Sequence, residues 1–144
     1  MKTCFFIGHR DAPDELLPTL EASVERHITE YGVNAFIVGH YGNFDRLAAR
    51  AVIAAKARHR SVTLHRLLPY RSKDRMEYLP KGFNGVFCPF TEPVDESAAI
   101  PIANKYAISH CDYLIAYVCH EGNARGFAEY ARARGNIHVE NTAE

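Results

Sequence analysis

The sequence lacks an excess of charge of either sign, since its 144 residues include 17 basic and 17 acidic side chains. Duplex DNA and anionic membranes attract proteins through many basic side chains, so a chain without net charge has no bulk attraction for either. We therefore predict no nucleic-acid partner and no membrane partner. A hydrophobic content of 47% also excludes a disordered tail, which would be poor in apolar residues.

Long apolar runs and paired cysteines are also absent. No apolar run approaches the ~20 residues that span a bilayer, and the run at residues 4–7 is too short for a signal-peptide core. The four cysteines form no Cys-x-x-Cys pair and show no zinc-site spacing. These absences predict a cytoplasmic protein with reduced thiols, without a metal site and without a cofactor.

The apolar residues that are present form three short continuous runs, at residues 4–7, 35–38 and 113–118. Continuous runs are typical of strands covered on both faces. Apolar residues three or four apart follow each run, as in amphipathic helices. Asn43 is placed to cap the second of these helices, and Gly135 to end the third. Further strands are predicted at 62–68, 86–88 and 137–140, the last at an edge, and a further helix from near Pro101 to His110.

This alternation predicts an α/β fold, a single three-layer domain over residues 1–144 with a mostly parallel sheet. In such sheets, ligands bind beyond the carboxyl ends of the strands, where loops and helix N-termini meet. The loops after the three apolar runs therefore predict one site, and helix N-termini favour an anion there, such as phosphate or carboxylate. The predicted ligand-binding residues are Gly8, His9, Arg10, Gly39, His40, Gly42, Asp45, Gly122 and Asn123.

Two of these residues have both a structural and a functional interpretation. Gly8 serves either as a turn glycine or as a point where the backbone approaches a phosphate closely. Asp45 lies in the first turn of its helix, where interaction with the helix dipole contributes ~0.3–1 kcal/mol. Its alternative role is to accept a hydrogen bond from a ribose hydroxyl, as acidic residues do in dinucleotide-binding folds.

The charged and imidazole side chains of the first two loops also leave alternatives open. Arg10 offers a planar fork for a phosphate, or it pairs with Asp11 or Asp14. His9 and His40 would flank the same cleft, and their structural alternative is a hydrogen bond within a loop. Two histidines without a third ligand make a poor metal site.

Four motifs, taken in order, resemble the SLOG superfamily, in particular its YspA/YpsA-like branch, whose relatives include the Lonely Guy and DprA proteins. Gly8-His9-Arg10 is similar to the "TGHR" opening of that branch. The second loop is similar to its "G-x-x-x-G-x-D-x-L-A" turn, with one fewer residue between the glycines. The quoted segments are Gly8-His9-Arg10, Gly39-x-x-Gly42-x-x-Asp45-Arg46-Leu47-Ala48, Asn104-Lys105-Tyr106 through Cys111-Asp112-Tyr113-Leu114-Ile115-Ala116-Tyr117, and Glu129-Tyr130-Ala131.

The resemblance implies a Rossmann-like fold that binds a nucleotide or a nucleotide-derived ligand of the ADP-ribose, NAD or nucleoside phosphate class. The predicted partner is thus a small nucleotide-like molecule, bound by a sensor or carrier, and a homo-oligomer is left open. Some superfamily members, the Lonely Guy enzymes, cleave the N-glycosidic bond of nucleoside monophosphates. The loop after the third run departs from their "G-G-x-G-T-x-x-E" pattern, because Gly122 has no paired glycine beside it.

Two enzymatic alternatives involve this same loop. Glu121 and Glu129 would act as a carboxylate pair on a glycosidic bond, by analogy with glycosidases. Cys119 and Arg125 fit the Cys-x5-Arg loop of cysteine-dependent phosphatases, in which a thiolate attacks phosphorus and the arginine holds its oxygens. Such a phosphatase needs an acid for its leaving group, for which the sequence offers Glu92 or Asp95.

One stretch of the chain is strongly basic. Nine of the 17 basic residues lie between Arg46 and Arg75, against the single acid Asp74. We interpret this stretch as a solvated face. A nucleic-acid site would need aromatic side chains for base stacking, and Tyr70 stands nearly alone there.

Overall fold

The structure, a computed structural model, describes residues 2–68, 79–89 and 96–144. Most of the proline-rich segment at 69–93 lies outside these ranges. So do Tyr70 and the two acids considered for a phosphatase, Glu92 and Asp95.

Six parallel strands form one sheet in the order β4-β3-β2-β1-β5-β6, which confirms the predicted α/β fold. The strands are β1 (Lys2–Gly8), β2 (Val33–Val38), β3 (Thr63–Leu67), β4 (Gly85–Phe87), β5 (Tyr113–Tyr117) and β6 (His138–Asn141). The helices are α1 (Leu17–Thr29), α2 (Asn43–Lys56), α3 (Glu96–His110) and α4 (Asn123–Arg134), with a short 3-10 turn at Asp14–Leu16.

The helices cover both faces of the sheet, so the domain has three layers. β1 is buried on both sides because its side chains alternate between the two faces. Phe6 packs into a core with residues of α1 and α2, whereas Phe5 and Ile7 pack into a second core with residues of α3 and α4. This is the Rossmann-like, doubly wound arrangement, and the strand order reverses between β1 and β5. None of the helices in the described ranges is long and apolar enough to cross a membrane.

Two helix starts differ from the sequence prediction. α3 begins at Glu96, so Pro101 lies inside it, although proline favours the first turn of a helix. Ala99, Ala103 and Ala107 are fully buried at four-residue spacing, and packing along this stripe extends the helix towards its N-terminus despite the lost hydrogen bond.

The predicted cap of α2 is also wrong, because the N-cap residue is Gly42 and Asn43 is the first helical residue. The Asn43 amide instead donates hydrogen bonds to the Ala12 carbonyl (2.6 Å) and to Asp14 Oδ1 (2.8 Å). Asn43 therefore ties the loop after β1 to the start of α2. By contrast, Gly135 ends α4 as predicted, with φ of 73° in the left-handed region.

We predict that Gly8→Ala destabilises the fold, because a Cβ at this position would overlap the ring of the fully buried Phe44. Overpacking of this kind costs ~1–3 kcal/mol of unfolding free energy, which denaturant titration measures. Gly126→Ala is the matched control, since its Cβ meets nothing within 4 Å and alanine is the better helix former by up to ~1 kcal/mol. Equal stability of the Gly8→Ala and unmodified proteins would contradict this account.

Candidate functional site

A cavity of about 540 Å³ opens at the carboxyl ends of β1 and β5, where the strand order reverses. We call it the ligand cavity, because open α/β sheets bind their ligands at this position. Seven of the nine predicted ligand-binding residues line it, namely Gly8, His9, Arg10, Gly39, Asp45, Gly122 and Asn123. The other two, His40 and Gly42, line a neighbouring cavity.

One wall of the ligand cavity comes from α3, through Ile100, Pro101 and Asn104. The sequence analysis missed this wall because these residues precede a strand rather than follow one. A signal was available in Asn104, a polar residue directly after the apolar run at 98–103, and in the structure it is 6% exposed. Phe127 of α4 adds an aromatic ring to the lining of the cavity.

His9 joins the loop after β1 to the loop after β5. It is 4% exposed, and its Nε2 accepts hydrogen bonds from the backbone N–H groups of Cys119 (3.0 Å) and His120 (3.3 Å). An Nε2 that accepts two N–H groups carries no proton, so the neutral ring carries its proton on Nδ1. The structural interpretation of His9, a hydrogen bond within the loops, is therefore confirmed.

The imidazole ring of His120 stacks on His9, with ring centroids 3.6 Å apart and planes 11° apart. Burial, followed by the neighbouring His120, lowers the pKa of His9. The Glu121 carbonyl and the Asp11 carboxylate hold the pKa of His120 above its ordinary value, with Asp11 Oδ1 3.3 Å from Nε2. These opposite directions mean that the exposed His120 ring takes up a proton before the buried His9 ring does.

His9, Cys119 and His120 place three potential metal-ligand atoms within 4.8 Å of one another. This group differs from the pair considered in the sequence analysis, because His40 is not part of it. Their arrangement does not converge on one ion. Imidazole lone pairs lie in the ring plane, and two parallel rings 3.6 Å apart cannot both direct them at one ion at ~2.0–2.1 Å. In addition, Nε2 of His9 already accepts the two backbone N–H groups.

Asp45 is half-buried at the cavity wall. Its Oδ2 accepts a hydrogen bond from the Tyr41 N–H (3.0 Å), and no residue of the described ranges donates to Oδ1. Burial raises the pKa of Asp45 to about 6, although the Tyr41 N–H and the nearby Arg10 both act in the opposite direction. Asp45 is thus an incompletely satisfied carboxylate facing the cavity.

Arg10 is exposed at the cavity mouth. The structural alternative for Arg10, a pairing with Asp11 or Asp14, does not occur, because Asp11 contacts His120 and Asp14 is bound by Arg46 (2.8 Å). Within the part of the chain that the structure describes, no acid lies within ion-pair distance of Arg10. Its guanidinium is therefore available to an anion.

Three glycines of the site are required for different reasons. A Cβ at Gly8 would overlap Phe44, and a Cβ at Gly42 would lie 2.5 Å from the Arg10 Cα. Gly122 has φ of 150°, which L-residues rarely adopt. It is the N-cap residue of α4 and makes no side-chain cap, so the first N–H groups of α4 are left uncapped beside the cavity.

The candidate catalytic residues lie outside the ligand cavity. Cys119, Arg125 and Glu129 line a separate pocket of about 210 Å³. Arg125 pairs with both carboxylates, with Glu121 at 2.9 Å and with Glu129 at 3.2 Å. The two acids are therefore held by one exposed arginine rather than placed across a cavity. The same contacts bear on the phosphatase alternative, because the Arg125 guanidinium is already paired with acids. The backbone N–H groups of Cys119 and His120, which a phosphatase loop would offer to phosphate, donate to His9 instead.

His40 stacks on the ring of Tyr41, with centroids 4.8 Å apart. It lines the neighbouring cavity and is not among the residues that line the ligand cavity with His9.

No protein-family model matches this chain, and no curated protein is similar enough in sequence to match it. The resemblance to the SLOG superfamily therefore stays a prediction.

We predict that nuclear magnetic resonance resolves two different titrations for the stacked histidines. His9 should remain in its Nδ1–H tautomer and titrate below the ordinary histidine pKa of ~6.5, and His120 should titrate above it. Asp11→Asn should lower the pKa of His120, because it removes the carboxylate that stabilises the protonated ring. Acidification that protonates His9 before His120 would contradict the assignment.

Proposed function

We propose that this protein binds a nucleotide or nucleotide-derived small molecule, of the ADP-ribose, NAD or nucleoside phosphate class, and acts as a sensor or carrier. The observation that carries the proposal is the ligand cavity itself. It combines positively charged groups suited to an anion with a carboxylate that can accept a hydrogen bond from a hydroxyl group. Its volume of about 540 Å³ falls in the usual range of ~300–1,000 Å³ for small-molecule sites.

The anion site consists of Arg10 and the uncapped start of α4. Free N–H groups at a helix N-terminus carry partial positive charge and bind phosphate. Gly122 leaves space for close approach, because nothing lies within 4 Å of the point where its Cβ would be. Arg10 adds a full positive charge at the same mouth, and its planar fork suits phosphate oxygens.

The hydroxyl acceptor is Asp45. Its Oδ2 is held by the Tyr41 N–H, so the carboxylate is oriented while Oδ1 remains available. An ionised acid repels phosphate but accepts hydrogen bonds from a sugar, and we therefore assign the ribose to Asp45. The apolar wall of Ile100, Pro101 and Phe127 then suits a base or nicotinamide ring.

Binding without chemistry is the favoured form of this function. Glu121 and Glu129 are both paired with Arg125, and neither is among the residues that line the ligand cavity. A hydrolytic pair would have to face the glycosidic bond from inside the cavity. We therefore propose that the protein binds its ligand without cleaving it.

We predict that ADP-ribose, NAD or AMP raises the thermal midpoint of the protein, as RT ln(1 + [L]/Kd) requires of a ligand that binds the folded state. Calorimetric titration should show that Asp45→Asn weakens binding about tenfold, because a ribose hydroxyl loses a charged acceptor worth ~1.5 kcal/mol. Glu30→Gln is the matched control, since it removes one exposed negative charge at the far end of α1.

The same titrations test for catalysis. Release of free base that disappears in Glu129→Ala would replace the proposal with an N-glycosidic hydrolase. Release of phosphate that disappears in Cys119→Ser would replace it with a cysteine phosphatase. Failure of all three compounds to bind would overturn the proposed function.

We also predict that Asp45→Asn stabilises the unliganded protein at pH 7.5. The pKa of Asp45 is about 6 in the folded state and ~3.9 in an unfolded chain, so between these values the folded state binds more protons. Stability contributed by protonated Asp45 is therefore lost as the pH rises from ~4 to ~6. Asparagine keeps the Tyr41 hydrogen bond without the charge, and the gain should be on the order of 1–2 kcal/mol at pH 7.5 and vanish near pH 4. If urea denaturation at pH 7.5 gives Asp45→Asn a lower unfolding free energy than the unmodified protein, Asp45 instead stabilises the start of α2 through the helix dipole.

A further inference from the structure

A second cavity, of about 600 Å³, adjoins the ligand cavity on the side of α2 and β3. The two cavities share Gly39, Tyr41 and Asp45 as lining residues, so they meet at the Asp45 carboxylate. We call the second cavity the basic groove, because it is lined by four cationic side chains, Arg46, Arg50, Arg66 and Lys81. Among the lining residues that the structure describes, Asp45 is the one acid.

Within the described ranges of the chain, no acid pairs with three of these cations. Arg46 is paired with Asp14 at 2.8 Å, and Asp14 is also within electrostatic reach of Arg50. In the ranges 2–68, 79–89 and 96–144, however, no carboxylate lies within 4 Å of the charged nitrogens of Arg50, Arg66 or Lys81. Uncompensated charge of one sign along a concave surface concentrates the potential there and attracts a ligand of the opposite sign.

Arg66 is the most constrained of the three. Its guanidinium lies over the ring of Phe83, 5.0 Å from the ring centroid, and its Nε is buried without a hydrogen-bond partner. An aromatic ring thus holds the guanidinium in place, and no acceptor of the described chain engages it. A buried donor without a partner costs ~1–3 kcal/mol, which is unusual for a side chain with no further role.

We propose that the basic groove binds a second phosphate group, carried on the ribose of a nucleotide whose remaining parts occupy the ligand cavity. This inference rests on the proposed function, because it takes the ribose to lie at Asp45. One ribose hydroxyl then faces Asp45, and a phosphate on the adjacent hydroxyl extends into the groove towards Arg50 and Arg66. Arginine forks match phosphate oxygens in charge and in geometry.

This arrangement also explains why one acid lies between two cationic regions. A phosphate at the junction would meet the Asp45 carboxylate, whereas a hydroxyl there would be bound by it. Phosphates on either side of the ribose would avoid Asp45, one near Arg10 and α4 and the other near Arg50. The ligand class is therefore a nucleoside 3′,5′- or 2′,5′-bisphosphate, or a larger nucleotide with that pattern.

The test compares AMP with adenosine 3′,5′-bisphosphate and adenosine 2′,5′-bisphosphate by calorimetric titration. We expect at least one bisphosphate to bind about tenfold or more tightly than AMP, as one additional charge-assisted contact gives. The double variant Arg50→Gln/Arg66→Gln should remove this advantage and leave the affinity for AMP unchanged. Because Arg66 is half-buried, Arg50→Gln/Lys81→Gln serves as a second variant with two exposed positions.

Arg60→Gln is the matched control, because Arg60 is an exposed cation in the turn before β3, at the opposite end of that strand. Bisphosphates that bind no more tightly than AMP would overturn the inference and leave the proposed function intact. An equal loss of AMP and bisphosphate affinity in both double variants would also overturn it, since the groove would then act only through general attraction.

Two further outcomes are distinguishable. If AMP and both bisphosphates fail to bind, the proposed function and this inference both fail. If a short single-stranded oligoadenylate binds more tightly than either bisphosphate, and Arg50→Gln/Lys81→Gln abolishes its binding, the groove is a nucleic-acid site and the inference is wrong.

Discussion

β1 pairs with β2 on one side and with β5 on the other, and the site depends on this double pairing. Chain connections leave β1 and β5 towards opposite faces of the sheet, so their loops separate and open a crevice between them. The same strand supplies the centre of both cores, through Phe6 on one face and Phe5 on the other. The ligand cavity therefore lies at the end of a strand that is paired on both sides and packed into both cores.

His9 extends this pairing beyond the end of the strands. By accepting the N–H groups of Cys119 and His120, its ring fixes how far apart the two loops lie. Those two N–H groups are therefore already engaged, whereas the N–H groups at the start of α4, after Gly122, have no side-chain cap. One buried side chain thus both shapes the cavity and decides which of these backbone groups remain available.

Charge is arranged locally in this protein although the chain has no net charge. Asp14 neutralises Arg46, Arg125 is engaged by Glu121 and Glu129, and Asp11 contacts His120. The cations without such partners, among the residues that the structure describes, include Arg10 in the ligand cavity and Arg50 in the basic groove. Part of the stretch that we interpreted as a solvated face therefore lines a cavity. Composition does not reveal this arrangement, because it depends on which acids fold next to which bases.

Local pattern in the sequence determined the strands, the C-terminal ends of α3 and α4, and the edge of the sheet that carries the site. Continuous apolar runs specify buried strands, and a parallel sheet brings the loops after them to one edge, which is why Asp45 and Gly122 were found. Tertiary structure alone decided the rest. Asn43 is not a cap because its Oδ1, the atom that would accept a helix N–H, accepts a hydrogen bond from Arg46 Nε. The Asn43 amide N–H groups bind Ala12 and Asp14 instead. α3 starts before Pro101 because buried alanines extend it. The α3 wall, the stacking of His120 on His9 and the grouping of Arg50 with Arg66 join residues far apart in the chain. Such contacts arise from packing between elements, which no local pattern records.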